Sequence, residues 1–244
     1  MARLPRLVVP LQPHYLVQRS VDELTAFRDD ADYRAFLGWL REAGKQFQLA
    51  VHAYALLPDQ VHLLVTPSDG TGLSRAMQWI GRHYVPHFNQ KYQRAGTLWQ
   101  GRFKAVVLEP EPYLLACSQH IEALPVRSEL AIEPGAYPWS SWRHHVGVAA
   151  DPSLVDHVLF WKLGNTPFDR EAEYRRRYEE GEGKLFAGQL AQAVETGWPL
   201  GSDAFKEMVA QRSGRRSVPG RRGRPRIRQV EPGEPSDPPP MSTS

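Results

Sequence analysis

Apolar residues recur along the chain with two different spacings, and the order in which these spacings occur predicts the fold. Alternating or continuous apolar runs predict strands at residues 14–18, 49–57, 61–66 and 103–108. Apolar repeats of three to four residues predict helices at residues 29–48, 73–92 and 111–124. The order of these elements matches a ferredoxin-like α+β sandwich, in which a mainly antiparallel sheet carries helices on one face.

Changes in composition divide the chain into three parts. Residues 1–146 carry the α+β pattern, and residues 147–211 have the spacing of a mainly helical extension. In residues 212–244, Gly, Pro, Ser and charged residues dominate, which predicts a disordered tail. No run of about 18 apolar residues occurs, so we expect no membrane partner. The single cysteine, Cys117, excludes an internal disulfide, and we expect a cytoplasmic monomer.

Charge is unevenly distributed. The net charge is only +3, yet residues 211–228 contain eight arginines and no acidic residue. Such an asymmetry favours a nucleic-acid partner, and arginine suits phosphate contacts better than lysine does. Arg222, Arg224 and Arg226 alternate with Gly and Pro, as in the centre of an AT-hook. A narrow extended segment of this kind can enter the minor groove of DNA.

The connection between the second and third strands carries a candidate site. Positions 60 and 62 of a strand point to one face, so we expect Gln60 and His62 to face outward while Val61 and Leu63 enter the core. A single histidine on a strand is most often structural. A functional role for His62 therefore depends on other segments of the chain.

Several further segments, in order, carry a family resemblance. They read HAYALLP at residues 52–58, LWQGRFK at 98–104, PVR at 125–127, YPWSSW at 137–142, GWPLGS at 197–202 and RRGRPR at 221–226. Together they resemble the HUH single-tyrosine transposases, and more closely the bacterial REP-associated tyrosine transposases. The resemblance extends from about residue 14 to residue 226.

This resemblance implies a particular chemistry. In the family, two histidines on one strand face bind Mg²⁺ or Mn²⁺, and the metal polarises a phosphodiester of single-stranded DNA. A tyrosine on the helix after the fourth strand attacks that phosphodiester and forms a covalent link to the DNA. An asparagine or glutamine one turn later on the helix supplies a further metal ligand.

The chain departs from this pattern at each catalytic position. Gln60 stands at the first metal histidine, His120 at the tyrosine and Leu124 at the asparagine, so only His62 remains. The resemblance then implies a protein that keeps the fold and the DNA-binding surface but has lost tyrosine-based cleavage. We expect Mg²⁺ or Mn²⁺ to bind weakly or not at all.

Two other functions remain open from the residues alone. The first is metal-dependent DNA nicking through a rearranged site around His62 and His120, with Gln60 as a further ligand. Tyr113 shares a helical face with His120 but precedes it by about two turns, or roughly 10 Å. The second is an RNA-binding or protein-interacting regulator that reuses the same sandwich.

Cations interleaved with aromatic residues on the second predicted helix, and in the segment that follows it, give the candidate DNA-binding residues. This pattern suits single-stranded or hairpin DNA, because phosphates are neutralised while exposed bases stack. The resemblance points to repetitive extragenic palindromic elements as the DNA partner. The candidates in this region are Arg75, Arg82, His83, His87, Lys91, Arg94, Gln100, Arg102 and Lys104.

Overall fold

The computed structural model describes residues 6–216, and their side chains except those of residues 23 and 182–185. Within this part of the chain, four strands form one sheet in the order β2-β3-β1-β4. All three pairings in this sheet are antiparallel. The strands are β1 His14–Arg19, β2 Leu49–Leu57, β3 Gln60–Pro67 and β4 Lys104–Val107.

Eight α-helices accompany the sheet in the described residues. They are α1 Asp30–Gln46, α2 Gly72–Lys91, α3 Pro110–Arg127, α4 Trp142–His145, α5 Val158–Trp161, α6 Pro167–Glu179, α7 Glu182–Thr196 and α8 Asp203–Ser213. Two short 3-10 helices occupy Val21–Glu23 and Pro134–Ala136. The predicted order of the first seven elements and the α+β sandwich are confirmed. No described helix has the length and apolarity needed to cross a membrane.

One face of the sheet packs against α1 and α2, as the sandwich predicts. Asp29 begins α1 by accepting hydrogen bonds from the backbone N–H groups of Ala31 and Asp32, which would otherwise lack partners. The apolar sides of both helices meet β1, β2 and β3 in one core cluster. Tyr84 of α2 is fully buried in it, and its hydroxyl donates to the Ala26 carbonyl oxygen at 2.5 Å.

The opposite face of the sheet is covered as well, by α3 and α7. This layer corrects one expectation, because His62 is buried, with 5% of its surface exposed, rather than facing outward. Gln60 and His62 do lie on the same side of β3, but a strand's alternation cannot reveal that a later helix will cover its polar side. Gln60, at the end of β3, remains partly exposed.

The chain after residue 141 is mainly helical, as its pattern predicts. Helices α4, α5 and α6 share a small core around Trp142 and Tyr174. Glu122 of α3 joins this core to the sandwich, because its buried carboxylate accepts from the Tyr174 hydroxyl at 2.7 Å and the Ser141 hydroxyl at 2.5 Å, and contacts His145 Nδ1 at 2.6 Å. Helix α8 packs on the N-terminal segment and β4. The tail predicted to be disordered was expected to begin at residue 212, but residues 212 and 213 form the end of α8, because the helix continues through the polar positions. The part of this prediction beyond residue 216 lies outside the described residues.

Candidate functional site

A chain of hydrogen bonds crosses the sheet face beneath α3. The Gln60 amide Nε2 donates to Asp59 Oδ2 at 3.2 Å, which directs Gln60 Oε1 towards His62 Nε2, also at 3.2 Å. On the other side of the imidazole, the Tyr15 hydroxyl lies 2.6 Å from His62 Nδ1. Tyr15 reaches His62 because β1 and β3 pair with Val17 opposite His62, which makes Tyr15 its diagonal neighbour.

The Asp59 carboxylate at one end of this hydrogen-bond chain determines which atom donates in each bond. A carboxylate and an amide oxygen only accept, so His62 Nε2 must carry the proton that it shares with Gln60 Oε1. Burial above all, with a smaller contribution from the positive charge of Arg19, lowers the pKa of His62 to about 3, so the ring is neutral. Neutral imidazole then offers only Nδ1 as an acceptor, and the Tyr15 hydroxyl donates to it.

His120 lies on α3 over the same part of the sheet. Its ring meets Tyr15 edge-on, with the ring centroids 6.3 Å apart, and Phe186 of α7 packs against it at 6.1 Å. The Arg127 Nη1 group is 2.9 Å from His120 Nδ1. A guanidinium only donates, so Nδ1 accepts and the proton of the neutral ring belongs on Nε2. The structure thus brings Gln60, His62 and His120 towards one site.

Tyr15 is the residue of this site that the sequence reasoning missed. The alternation of β1 predicts that Tyr15 lies on one face of the sheet. Only the register of the pairing between β1 and β3 places Tyr15 next to His62 on that face. Tyr113, the tyrosine considered as a replacement nucleophile, instead packs on Phe186 with ring centroids 5.6 Å apart. Burial raises the pKa of the Tyr15 hydroxyl far above its usual value.

A groove of about 1310 Å³ lies on the other side of the sheet, between α2 and residues 97–103. Arg75 and Arg82 line it from one face of α2, and Gln100 and Arg102 line it from the opposite segment. Its floor and walls are mostly apolar. They include Val8, Met77, Val85, Trp99 and Phe103.

The segment opposite α2 is held in place by the end of β1. The Gln18 amide donates to the Gly101 carbonyl oxygen at 3.3 Å, and the backbone N–H of Gln100 donates to the Arg19 carbonyl oxygen at 2.8 Å. Gly101 has φ +64°, a conformation that favours glycine. The Arg6 guanidinium stacks on the Phe103 ring at 3.6 Å and adds a flat cationic surface to the groove.

The remaining candidates on α2, and Arg94 shortly after its end, do not line this groove. His83 and His87 stack against Trp39, with ring centroids 6.1 and 5.3 Å away. Lys91 pairs with Asp29 and Asp32, each at 2.7 Å. Arg94 donates to Asn89 Oδ1 at 3.2 Å. The structure therefore separates these four side chains from Arg75 and Arg82.

Two other groups of candidates lie elsewhere. Lys104 of β4 points to α7, where it pairs with Glu195 at 3.2 Å in an exposed position. Arg222, Arg224 and Arg226 lie outside the described residues. Their predicted contacts with DNA stay predictions.

The architecture defines an α+β sandwich with a histidine-bearing hairpin beneath the helix that follows β4. Residues 14–123 match the model of the family described as IS200-like transposases. The family prediction is therefore confirmed. No curated protein sequence matches the chain.

Solved structures with a related fold are distant in sequence. One is the REP-associated tyrosine transposase bound to a REP hairpin, with a TM-score of 0.51 and 15% identity over 65% of this chain and 93% of that chain. Another is a crystal structure of a putative transposase from Deinococcus radiodurans R1, with a TM-score of 0.34 and 19% identity over 50% of this chain and 96% of that chain.

Proposed function

We propose that this transposase-family protein binds single-stranded or hairpin DNA in the groove beside α2 and does not cleave it through a tyrosine. The observation that carries this proposal is the convergence of Arg75, Arg82, Gln100 and Arg102 on one groove. These four residues are separated by up to 27 positions in the sequence, and they were singled out for their chemistry before their positions were known.

The lining of the groove suits unpaired nucleotides. Exposed arginines at its rim can neutralise phosphates, which supplies affinity that depends on salt but not on sequence. Its apolar walls, with Trp99 and Phe103, can accept the faces of unstacked bases. A fully paired duplex presents only phosphates and base edges to a protein, so an apolar lining favours DNA with a single-stranded part.

The similarity to a transposase bound to a REP hairpin supports a hairpin as the DNA partner. Repetitive palindromic sequences form such hairpins when they are single-stranded. The DNA target that we propose is therefore a hairpin from repetitive extragenic elements, with unpaired nucleotides beside it.

Loss of cleavage is supported by the bonds around His120. The side chain at the family's tyrosine position has no hydroxyl, so the covalent phosphotyrosine route has no nucleophile there. An imidazole could in principle attack phosphate with a free lone pair. Here the Nδ1 lone pair accepts from Arg127, and Nε2 carries the proton.

The donor atoms also fit the family's Mg²⁺ or Mn²⁺ poorly. These hard cations prefer oxygen ligands, carboxylates above all. The site of Gln60, His62 and His120 offers one amide oxygen and two imidazoles. His62 is protonated at Nε2, because Tyr15 donates to its other nitrogen, and Nδ1 of His120 accepts from Arg127. Among residues 6–216, no group of three or more His, Cys, Asp or Glu side chains is arranged to hold a metal.

A pair of glycine substitutions tests the groove. Gly81 lies in α2 at the groove wall, and a Cβ atom added there would meet nothing within 4 Å. Gly38 lies in α1, away from the groove, with the same open surroundings. We expect Gly81→Trp to fill the groove and weaken binding of a flanked DNA hairpin. Losing one stacked base costs about 1–3 kcal/mol, or about 5- to 150-fold in affinity.

The matched control Gly38→Trp should bind within about twofold of the parent, because it places the same side chain in another helix. Fluorescence anisotropy on the full chain measures both. Equal binding by the two variants would remove the groove from the interface. A matched RNA hairpin that binds as tightly as the DNA hairpin would favour an RNA-binding regulator instead.

A further inference from the structure

The N-terminal segment, residues 6–9, separates the groove from α8. Arg6 and Val8 line the groove, whereas Leu7 and Val9 pack against α8 in a small buried core. This alternation is typical of an extended segment, in which successive side chains point to opposite sides. One side of the segment therefore forms part of the groove wall, and the other side holds α8 beside the groove.

Helix α8 presents one stripe of residues to this segment. Phe205 and Val209 are one turn apart, and both are buried in the shared core. Arg212 follows Val209 by three residues, so it continues the same stripe. It is exposed in the last turn of α8, and Gly214 ends the helix with φ +62°. The packed side of α8 thus ends in an exposed arginine.

Positive charge accumulates at this end of α8. At the other end, Ser202 donates its backbone N–H to the Glu109 carboxylate at 2.6 Å, and Asp203 pairs with Lys206 at 3.5 Å. Residues 208–230 then contain eight arginines and no acidic residue. The helix dipole favours a cation in the last turn, but it does not account for a run of this length. The charge therefore indicates an anionic partner.

The residues at this end suit a duplex better than a single strand. Surfaces that bind single strands combine cations with aromatic rings on which bases stack, but residues 208–216 contain three arginines and no aromatic residue. A duplex carries one phosphate charge per about 1.7 Å of its axis and encloses the faces of its bases. The DNA proposed for the groove has both parts, because its unpaired nucleotides continue into a paired stem.

We propose that the end of α8 binds the phosphate backbone of the hairpin's paired stem. Arg212 makes the first contact, and the arginine run that begins there adds others. The unpaired flank lies in the groove, and the stem passes over the N-terminal segment towards α8. The stem can lie there only if its flank occupies the groove, so this assignment rests on the proposed function.

Two DNA probes separate the stem from the flank. One is a hairpin whose stem exceeds one helical turn, about 10 base pairs, and the other is its unpaired flank alone. Arg212→Gln should lower the slope of log affinity against log salt by about 0.9 for the hairpin, the contribution of one phosphate contact. At about 0.1 M salt, this contact is worth up to about eightfold in affinity. The flank alone should keep its affinity.

Lys206→Gln is the matched control. It removes one positive charge from the first turn of the same helix, where Asp203 already pairs with it. Fluorescence anisotropy on the full chain should show that this variant binds both probes as the parent does. Unchanged hairpin affinity in Arg212→Gln, or an equal loss for the flank alone, would overturn the proposal.

Cross-linking locates the contact on the DNA. The single cysteine, Cys117, is buried, so Arg212→Cys adds one exposed thiol. DNA that carries an activated disulfide tether on successive phosphates should trap this variant from positions in the stem. Lys206→Cys should not be trapped from those positions. Trapping of Arg212→Cys from the flank and not from the stem would contradict the assignment.

Two comparisons separate the possible failures. If the parent binds no hairpin at all, the proposed function fails. If the parent binds hairpins and Gly81→Trp weakens them, but Arg212→Gln has no effect and no stem position traps Arg212→Cys, only the assignment of α8 to the stem fails.

Discussion

Arg127 is the last residue of α3, and its Nη1 atom lies 2.9 Å from Nδ1 of His120, about two turns earlier on the same helix. Because the guanidinium can only donate, this contact makes Nδ1 the acceptor and leaves the proton of the neutral His120 ring on Nε2. His120 thus accepts a hydrogen bond that orients the Arg127 side chain.

The first prediction concerns strand cleavage. The parent should form no covalent adduct with single-stranded hairpin DNA in Mg²⁺ or Mn²⁺, whereas the triple change Gln60→His, His120→Tyr and Leu124→Asn should restore some nicking. Removing one preorganised stabilising group costs about 10²–10³ in rate, so partial recovery is expected. Denaturing gels detect the adduct. The control replaces His120 by Phe in the same background, and a phosphotyrosine adduct in the parent would contradict the prediction.

The second prediction concerns the remnant metal site. Tight binding of Mn²⁺ should be absent in calorimetry, because Gln60 replaces a ligand and His62 is protonated at Nε2. Tyr15→Phe removes the hydroxyl that donates to His62 Nδ1. A higher affinity for Mn²⁺ in this variant would show that the Tyr15 hydrogen bond keeps the proton of His62 on Nε2. One equivalent of Mn²⁺ or Zn²⁺ bound tightly by the parent, and lost in His120→Ala, would instead support the rearranged nicking site.

The third prediction concerns the C-terminal arginines. Replacing Arg222, Arg224 and Arg226 by alanine should flatten the dependence of log affinity on log salt. Each lost phosphate contact reduces the slope by about 0.7–0.9, so a change of about 2 to 3 is the upper limit. Titrations of the same DNA at several salt concentrations give the slope. An unchanged slope would exclude this segment from the DNA-binding surface.

The fourth prediction concerns acid stability. Burial lowers the pKa of His14 and of His52 to about 4, and that of His62 to about 3. Each folded-state pKa is below the unfolded value of about 6.5, so the unfolded chain binds more protons between these values. The stabilisation is complete above pH 6.5 and is lost as the pH falls towards 4 and 3.

Urea unfolding between pH 7 and pH 4.5 measures this loss. The free energy of unfolding should fall by up to about 1.4 kcal/mol per pH unit for each histidine. His52→Gln removes one of these histidines, so it should reduce the dependence of the free energy of unfolding on pH by the contribution of that residue. His144 has the opposite direction, because the hydrogen bond that it donates to the Asp156 carboxylate raises its pKa, so its stabilisation is lost as the pH rises. A free energy independent of pH over this range would contradict the prediction.

The fifth prediction concerns Glu122, which joins α3 to the helical extension. Glu122→Ala should leave the Ser141 and Tyr174 hydroxyls and His145 buried without their acceptor. Breaking a buried pair of this kind costs about 3–5 kcal/mol. Glu179→Ala, at an exposed position, is the control. Urea unfolding measures both, and an equally small loss in the two variants would show that the extension is held by apolar packing instead.

The sequence by itself determined the order of the secondary structure. The spacing of apolar residues separates strands from helices because period 2 and period 3.6 are local properties of the backbone. It also determined which side chains have the chemistry of a DNA site. The identities of Gln60, His120 and Leu124 at three critical family positions needed no structure.

Tertiary structure decided which of these side chains meet. Arg75 and His83 both lie on α2, but His83 stacks against Trp39 of α1 while Arg75 lines the groove. His62 is buried because α3 and α7 return over its side of the sheet, and Tyr15 reaches it through the strand register. Contacts between residues distant in sequence depend on the packing of the whole chain, which no local pattern encodes.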